Sequence, residues 1–302
     1  MHLNLVNLET ESRNMKTTNI DILSTEEILH LINEEDATVA SCVNKVIPKI
    51  TELVDEIVKA IKNGGRLFYI GAGTSGRIGF LDAAECPPTY GVSYDLVKGI
   101  IAGGYSALYK AKEGSEDDYN LAELDLKAEN FNSKDILIGI AASGRTPYVL
   151  GALAYAKSTD AITGSIACVS NSEIGKVSDY PIDVVTGQEV ITGSTRMKAG
   201  TAQKLILNMI STTTMIKLGK VYGNLMVDLN PTNEKLVARA IHFIEEATSC
   251  STQRAQTLFE ESGQCVKTAI LMELANLSKD EANQLLEKND QILKNAINNF
   301  NK

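Results

Sequence analysis

The chain has 302 residues, 44% of them apolar, which is enough to bury a sizeable core and excludes global disorder. Its formal net charge is -9. That excludes nucleic acid and anionic membranes as main partners, and an anionic ligand would need a local pocket of Arg, Lys or backbone N–H groups. The start, MHLNLVNLETESRN, lacks a basic stretch followed by an apolar run, so no secretory leader is expected, and no segment approaches the length of a membrane span. The expected location is the cytoplasm. After a polar, irregular opening, STEEILHLINEED carries Ser24 and, three positions on, Glu27, the signature of a capping box. VIPKITELVDEIVKAIKNGG has apolar residues at helical spacing and stops at Gly64-Gly65.

A regular series follows. RLFYIGAG, LVKGIIAGG, ILIGIAASG, GSIACVSN and YPIDVVTG are short apolar runs, most rich in Ile and Val, with helical patterns between most of them. Strands alternating with helices predict a parallel sheet covered on both faces, with every strand-to-helix loop at one edge. Beyond VITGSTRMKAGTAQKLILNMISTTTMIKLGKVYGNLMVDLNP the strands stop. NPTNEKLVARAIHFIEEAT opens with a cap and a proline, and LSKDEANQLLEKNDQILKNAI opens with a second capping box, Ser278 with Glu281. His242 lies in an apolar helical run and is expected to be packed rather than to act as a base; Met197 and Met209 also read as core. The organisation expected is an N-terminal arm and helices over 1–56, a sheet domain over 57–222 and a small helical domain over 223–302.

Two loops carry the ligand chemistry. FYIGAGTSGRIGF fits the G-x-G-x-x-G pattern, with Gly71, Gly73 and Gly76. A dinucleotide fold also needs an acidic residue at the end of the second strand, but that strand ends IIAGG and Asp95 lies at its beginning, which argues against NAD. The loop AASGRTPYV, after the third strand, repeats the chemistry with Ser143, Gly144, Arg145 and Thr146 before a helix opened by Pro147. Hydroxyls and free N–H groups at two helix N-termini make a site for a monophosphate. Either loop alone reads equally well as helix capping; the pair favours a phosphate pocket. The five cysteines (Cys42, Cys86, Cys168, Cys250, Cys265) and three histidines (His2, His30, His242) show no metal-ligand spacing, so no metal is expected and the thiols read as buried and reduced.

The pair of loops resembles the sugar isomerase (SIS) domain, a phosphosugar-binding α/β fold. DAAECPPTYG (82–91), AKEGSEDD (111–118), GQEVITGSTRMKAGTAQK (187–204) and the stretch around Ser24 are similar to the N-acetylmuramic acid 6-phosphate etherase family over nearly the whole chain. One departure is Gln188, where the family usually has proline. The resemblance implies a five-stranded parallel sheet of flavodoxin-like order between helices, a C-terminal helical domain and a homodimer. It also implies a cofactor-independent carbon–oxygen lyase that releases D-lactate from the 6-phosphosugar in amino-sugar salvage. The reaction would open the ring, remove the C2 proton, protonate the departing ether oxygen and add water at C3. Two carboxylates set apart in pKa can do this.

The resemblance assigns the acid role to Glu85, followed by a Cys86-Pro87-Pro88 stop to its helix, and the second catalytic role to Glu116, with Glu113 as the neighbour most easily confused with it. Carboxylates in such acidic stretches otherwise read as solvated surface charge. Substrate-binding candidates are Gly73, Thr74, Ser75, Arg77, Ser143, Gly144, Arg145, Thr146, Ser194, Thr195, Arg196 and Lys198. Arginine forks suit both the phosphate and the lactyl carboxylate, and which arginine meets which anion stays open. Two rival readings are a non-catalytic sugar-phosphate sensor of the glucokinase regulatory protein type and a phosphosugar isomerase. A single set of five strands and the presence of both carboxylates speak against the sensor. An isomerase would need no acid for an ether oxygen.

Overall fold

The structure, a computed structural model, describes residues 9–300 apart from 230 and 232. The leader reading therefore rests partly on residues that lie outside the described ones. The chain forms two compact units: one takes the described residues up to Ala84 together with Tyr94–Ser211, the other takes Glu85–Ser93 together with those from Thr212 onward.

The first unit begins with short 3-10 turns, including Glu9–Glu11, and then α1 (Thr25–Asp36), α2 (Val39–Asn44) and α3 (Ile47–Lys62). The capping box at α1 forms as read: the Ser24 hydroxyl accepts from the Glu27 N–H, and the Glu27 carboxylate accepts from the Ser24 N–H. The five apolar runs become β1 (Leu67–Gly71), β2 (Val97–Ile101), β3 (Ile136–Ile140), β4 (Ile162–Ala167) and β5 (Tyr180–Asp183). They make one five-stranded sheet of order β2-β1-β3-β4-β5, every pairing parallel. Between and after them lie α4 (Gly73–Tyr90), α5 (Leu121–Ala128), α6 (Pro147–Ser158), α7 (Glu173–Val177) and α8 (Lys198–Lys217).

The pleat divides the strand residues between two faces. Phe68, Ile70 and Leu137 point into a core shared with Ala122 and Leu126 of α5, Val149 and Leu153 of α6, and Ile174 of α7. Tyr69, Gly99 and Gly164 point the other way. A Cβ on Gly99 would meet Phe80 of α4 at 2.4 Å, and one on Gly164 would meet Leu53 of α3 at 2.8 Å. Strands β1 and β3 are buried along their whole length, which is why they read as continuous apolar runs. Each buried Ile, Leu or Phe contributes about 1.5–3 kcal/mol relative to an exposed one. The registers bring Gly71 level with both Ile101 and Ile140, so β1 and β3 end together.

The helix carrying Glu85 does not stop at Pro87-Pro88. It runs on to Tyr90, and the Gly91 N–H still reaches the Pro87 carbonyl at 2.9 Å. Each proline removes only its own donor, and the four-residue ladder resumes beyond it. The thiols are also less uniform than expected: Cys86 and Cys168 are buried, whereas Cys265 is exposed.

The second unit holds a small antiparallel pair not anticipated from sequence, β6 (Val221–Tyr222) with β7 (Leu225–Met226). Five helices follow: α9 (Glu234–Thr248), α10 (Thr252–Glu261), α11 (Val266–Ala275), α12 (Lys279–Glu287) and α13 (Leu293–Phe300). The second capping box forms at α12, while α9 starts later than read, capped by Asn233. Ala240, Ile244, Leu258, Phe259 and Ile270 form its core. His242 is exposed rather than packed. Two residues from both Ala240 and Ile244, it stands about 200° around the helix from each. Met209 is also partly exposed.

A cavity between two helix N-termini

The sheet order changes direction at β1 and β3, where the connections depart to opposite sides, and this is the place where open α/β sheets bind ligands. Here the residues after β1 enter α4 at Gly73, and the residues after β3 enter α6 at Pro147. The second turn needs glycine at 144, which has φ +69° and whose hypothetical Cβ would lie 2.5 Å from that of Ser172. A cavity of about 390 Å³ opens between the two helix starts. Its lining includes Gly73, Thr74, Ser75, Ser143, Arg145, Thr146, Thr195 and three carboxylates, Glu11, Glu116 and Asp117.

The N–H groups of the first helical turns have no carbonyl partner within the helix and carry partial positive charge. Two such ends with an arginine can receive an anion on a protein whose net charge is -9. The Thr146 hydroxyl does not cap its own helix, which separates it from the plain capping reading. Ser75 is different: it is 7% exposed and its hydroxyl donates to Gln203 Oε1 at 3.0 Å.

Glu116 sits in the turns between β2 and α5, not in a helix, and its backbone carbonyl accepts from the Tyr148 N–H at 3.0 Å. That bond ties the Glu116 loop to the start of α6. Glu113, expected one helical turn away on the same face, lines instead a neighbouring cavity with Arg77 and Lys112, to which Glu116 also contributes.

Several expected ligands stand elsewhere. The Arg77 guanidinium donates to the carbonyls of Leu108 at 2.9 Å and Ala107 at 2.8 Å, closing the 3-10 turn Tyr105–Leu108. Lys198 is buried, and its ammonium lies 2.6 Å from Glu35 Oε2. Its backbone N–H and that of Ala199 donate, at 2.9 Å each, to the carboxylate of Glu189, which thereby caps α8. Gly144, Ser194 and Arg196 are not among the lining residues, and Arg196 is exposed. Glu85 is exposed on α4, roughly three turns beyond Gly73, and it too is not among the lining residues.

Three carboxyl groups around the site have shifted pKa values. Burial pushes Asp82 up, even though Asn208, Ser211 and Tyr69 hydrogen-bond to it. Its Oδ1 accepts from Asn208 at 2.8 Å and Ser211 at 3.1 Å, pinning α4 to α8. Burial also pushes Glu189 up against the pull of its two backbone donors. Burial opposes ionisation of Glu35 as well, but hydrogen bonds from Lys198 and Lys16 outweigh it and hold its pKa down.

Glu11, Asp117 and Glu189 escaped the sequence reading. Only LETESRN, an acidic pair inside a polar opening, hinted at Glu11, and such pairs usually face water.

The family profile of the glucokinase regulatory protein N-terminal SIS domain matches residues 49–157. Full-length relatives are much closer. An N-acetylmuramic acid 6-phosphate etherase of Clostridium botulinum (strain Eklund 17B / Type B) is 56% identical over 97% of this chain and 98% of its own. The protein of the same name from Photobacterium profundum is 54% identical over 98% of this chain and 99% of its own. That from Halalkalibacterium halodurans is 54% identical over 97% and 99%. Among solved structures, a phosphoheptose isomerase from Neisseria gonorrhoeae is similar at 14% identity and a TM-score of 0.49, covering 63% of this chain and 99% of its own.

Proposed function

The chain belongs to the N-acetylmuramic acid 6-phosphate etherase family, and from that premise we propose how its cavity serves the reaction. The enzyme cleaves the D-lactyl ether of N-acetylmuramic acid 6-phosphate by elimination and water addition, giving N-acetylglucosamine 6-phosphate and D-lactate. The observation that carries the assignment of parts is the position of Glu116 on the wall of a cavity that also presents two helix starts, hydroxyls and an arginine.

The phosphoryl group sits between the starts of α4 and α6, where Thr74, Ser143, Arg145, Thr146 and Thr195 supply donors. With the phosphate held there, the open-chain aldehyde acidifies the C2 proton and Glu116 removes it. An acid then protonates the departing C3 oxygen. After lactate leaves, water adds at C3 and the same two groups act in reverse. A positioned acid or base contributes about a hundred- to ten-thousandfold.

Glu85 takes the acid role in the cavity of a second copy, within a homodimer. Two things support this: its exposure on α4, and its absence from the cavity lining of its own chain. The reaction belongs in the cytoplasm, in salvage of cell-wall amino sugar, a setting consistent with five free cysteines. No described helix is long and apolar enough to cross a membrane.

D-lactate release from N-acetylmuramic acid 6-phosphate tests the reaction, and turnover in deuterated water should place deuterium at C2 of the product. Binding without turnover would favour the sensor reading. Subunit exchange between Glu85→Gln and Glu116→Gln proteins tests the shared site. Each variant alone should be inactive, and the mixture should recover about a quarter of wild-type activity, because a two-fold dimer with one copy of each has one intact site. A mixture as inactive as its components would refute sharing.

A further inference from the structure

The cavity has a carboxylate that the reaction described above does not use. Glu11 ends the 3-10 turn Glu9–Glu11 and lines the cavity beside Thr74, Ser143, Thr146 and Thr195. We propose that Glu11 is a substrate-positioning and specificity residue, which accepts hydrogen bonds from the O–H or N–H groups of the sugar and so selects a phosphorylated amino sugar over a bare phosphate. This rests on the phosphosugar reading of the cavity.

The arm that carries Glu11 is anchored on both sides of it. Glu9 Oε1 accepts from the Ser170 hydroxyl at 2.5 Å, and Thr10 is fully buried. Further on, the Thr17 hydroxyl donates to the Val190 carbonyl at 2.8 Å. Lys16 reaches Glu35 Oε1 at 3.1 Å while Lys198 holds the other oxygen of the same carboxylate at 2.6 Å. These contacts fasten the arm to the segment after β4 and to the segment between β5 and α8. The Glu11 carboxylate is thereby laid over the turn before Thr195, where Oε2 would stand 3.2 Å from a Cβ at Gly193.

Anchoring accounts for Glu9, Lys16 and Thr17, whose polar atoms are consumed by it. It does not account for the Glu11 carboxylate, which no hydrogen bond or ion pair among the described residues engages. An ionised carboxylate only accepts hydrogen bonds. It repels the substrate's phosphate and lactyl carboxylate, neither of which offers it a hydrogen. The remaining polar hydrogens of the substrate are the hydroxyls and the acetamido N–H. A half-buried carboxylate on the wall of an anion cavity is therefore useful only toward those groups, and it disfavours small anions that lack them.

The test compares wild type with Glu11→Gln and Glu11→Ala in three measurements: steady-state lactate release, calorimetric binding of N-acetylglucosamine 6-phosphate and of inorganic phosphate, and thermal unfolding. The expected result is weaker sugar-phosphate binding and a higher KM, by about ten- to a hundredfold as for a hydrogen bond to a charged group. Inorganic phosphate should bind equally well or more tightly, and the melting temperature should hold. Equal losses for sugar phosphate and inorganic phosphate, or a fall in melting temperature with KM unchanged, would reduce Glu11 to a tether of the arm and overturn the proposal. So would wild-type KM and affinity in both variants. If the wild-type protein itself neither binds the sugar phosphate nor releases lactate, the cavity reading fails instead.

Discussion

From the last residue of β1 the chain reads Gly-Ala-Gly-Thr-Ser-Gly-Arg, and after β3 it reads Ala-Ala-Ser-Gly-Arg-Thr-Pro. Both loops turn a buried strand into a helix start, and both carry hydroxyls and an arginine. In the first, Ser75 is bound to Gln203 and Arg77 to the carbonyls of Ala107 and Leu108. In the second, Ser143, Arg145 and Thr146 all line the cavity, and the Thr146 hydroxyl is not spent on its helix. In the first loop Ser75 and Arg77 thus brace the fold, while Thr74 lines the cavity. The second presents side chains. Similar composition at equivalent places does not imply similar use, because a side chain's partner is set by what the rest of the fold brings within reach.

The largest effect expected concerns what the two loops face. Glu116→Gln should lower lactate release by about a hundred- to ten-thousandfold, while Glu113→Gln stays near wild type. Comparable losses in both variants, measured as kcat, would mean that the acidic turn acts as a whole. Next comes the arginine pair. Arg145→Ala should weaken phosphate binding by about ten- to a hundredfold, the range for a hydrogen bond to a charged group. Arg77→Ala should instead lower both the melting temperature and kcat. An exchange of these two outcomes breaks the contrast between the loops.

Smaller again is the hydroxyl pair. Ser75→Ala should cost about 1 kcal/mol of stability, since it strands the buried Gln203 carbonyl, whereas Thr146→Val should leave stability intact and raise KM. Denaturant titration beside steady-state kinetics separates the two.

The smallest effect is a pH dependence. Glu35 has a folded pKa below its unfolded value, so its share of stability is fully present above that unfolded value. That share is lost as pH falls through the lower folded value. Glu35→Gln should flatten the acid limb of the stability curve. An unchanged limb would show that Lys16 and Lys198 do not favour the ionised form.

Much of this was legible in advance because it depends on neighbours in the chain. Five runs of Ile and Val between helical patterns specify buried parallel strands. The serine–glutamate spacings at Ser24 and Ser278 specify helix starts through contacts three residues apart. The two loops, and the absence of an acidic residue after IIAGG, pointed to a phosphate site and argued against a dinucleotide. The resemblance of the long segment 187–204 pointed to the family.

What the sequence could not reveal depends on partners far apart along it. Lys198 looked like an anion ligand because a lysine beside an arginine in a loop usually meets solvent or ligand; Glu35, brought to it by α1, takes it instead. Arg77 was read as a ligand for one of the substrate's anions because nothing local marks the carbonyls of Ala107 and Leu108 as its partners. Glu11 was passed over because its position on the cavity wall arises from contacts of the arm with Ser170, Val190 and Glu35. Periodicity and capping are properties of the local backbone and can be read along one dimension. The choice between bracing the fold and meeting a ligand is made only when distant segments compete for the same side chain, and that competition exists only in the folded molecule.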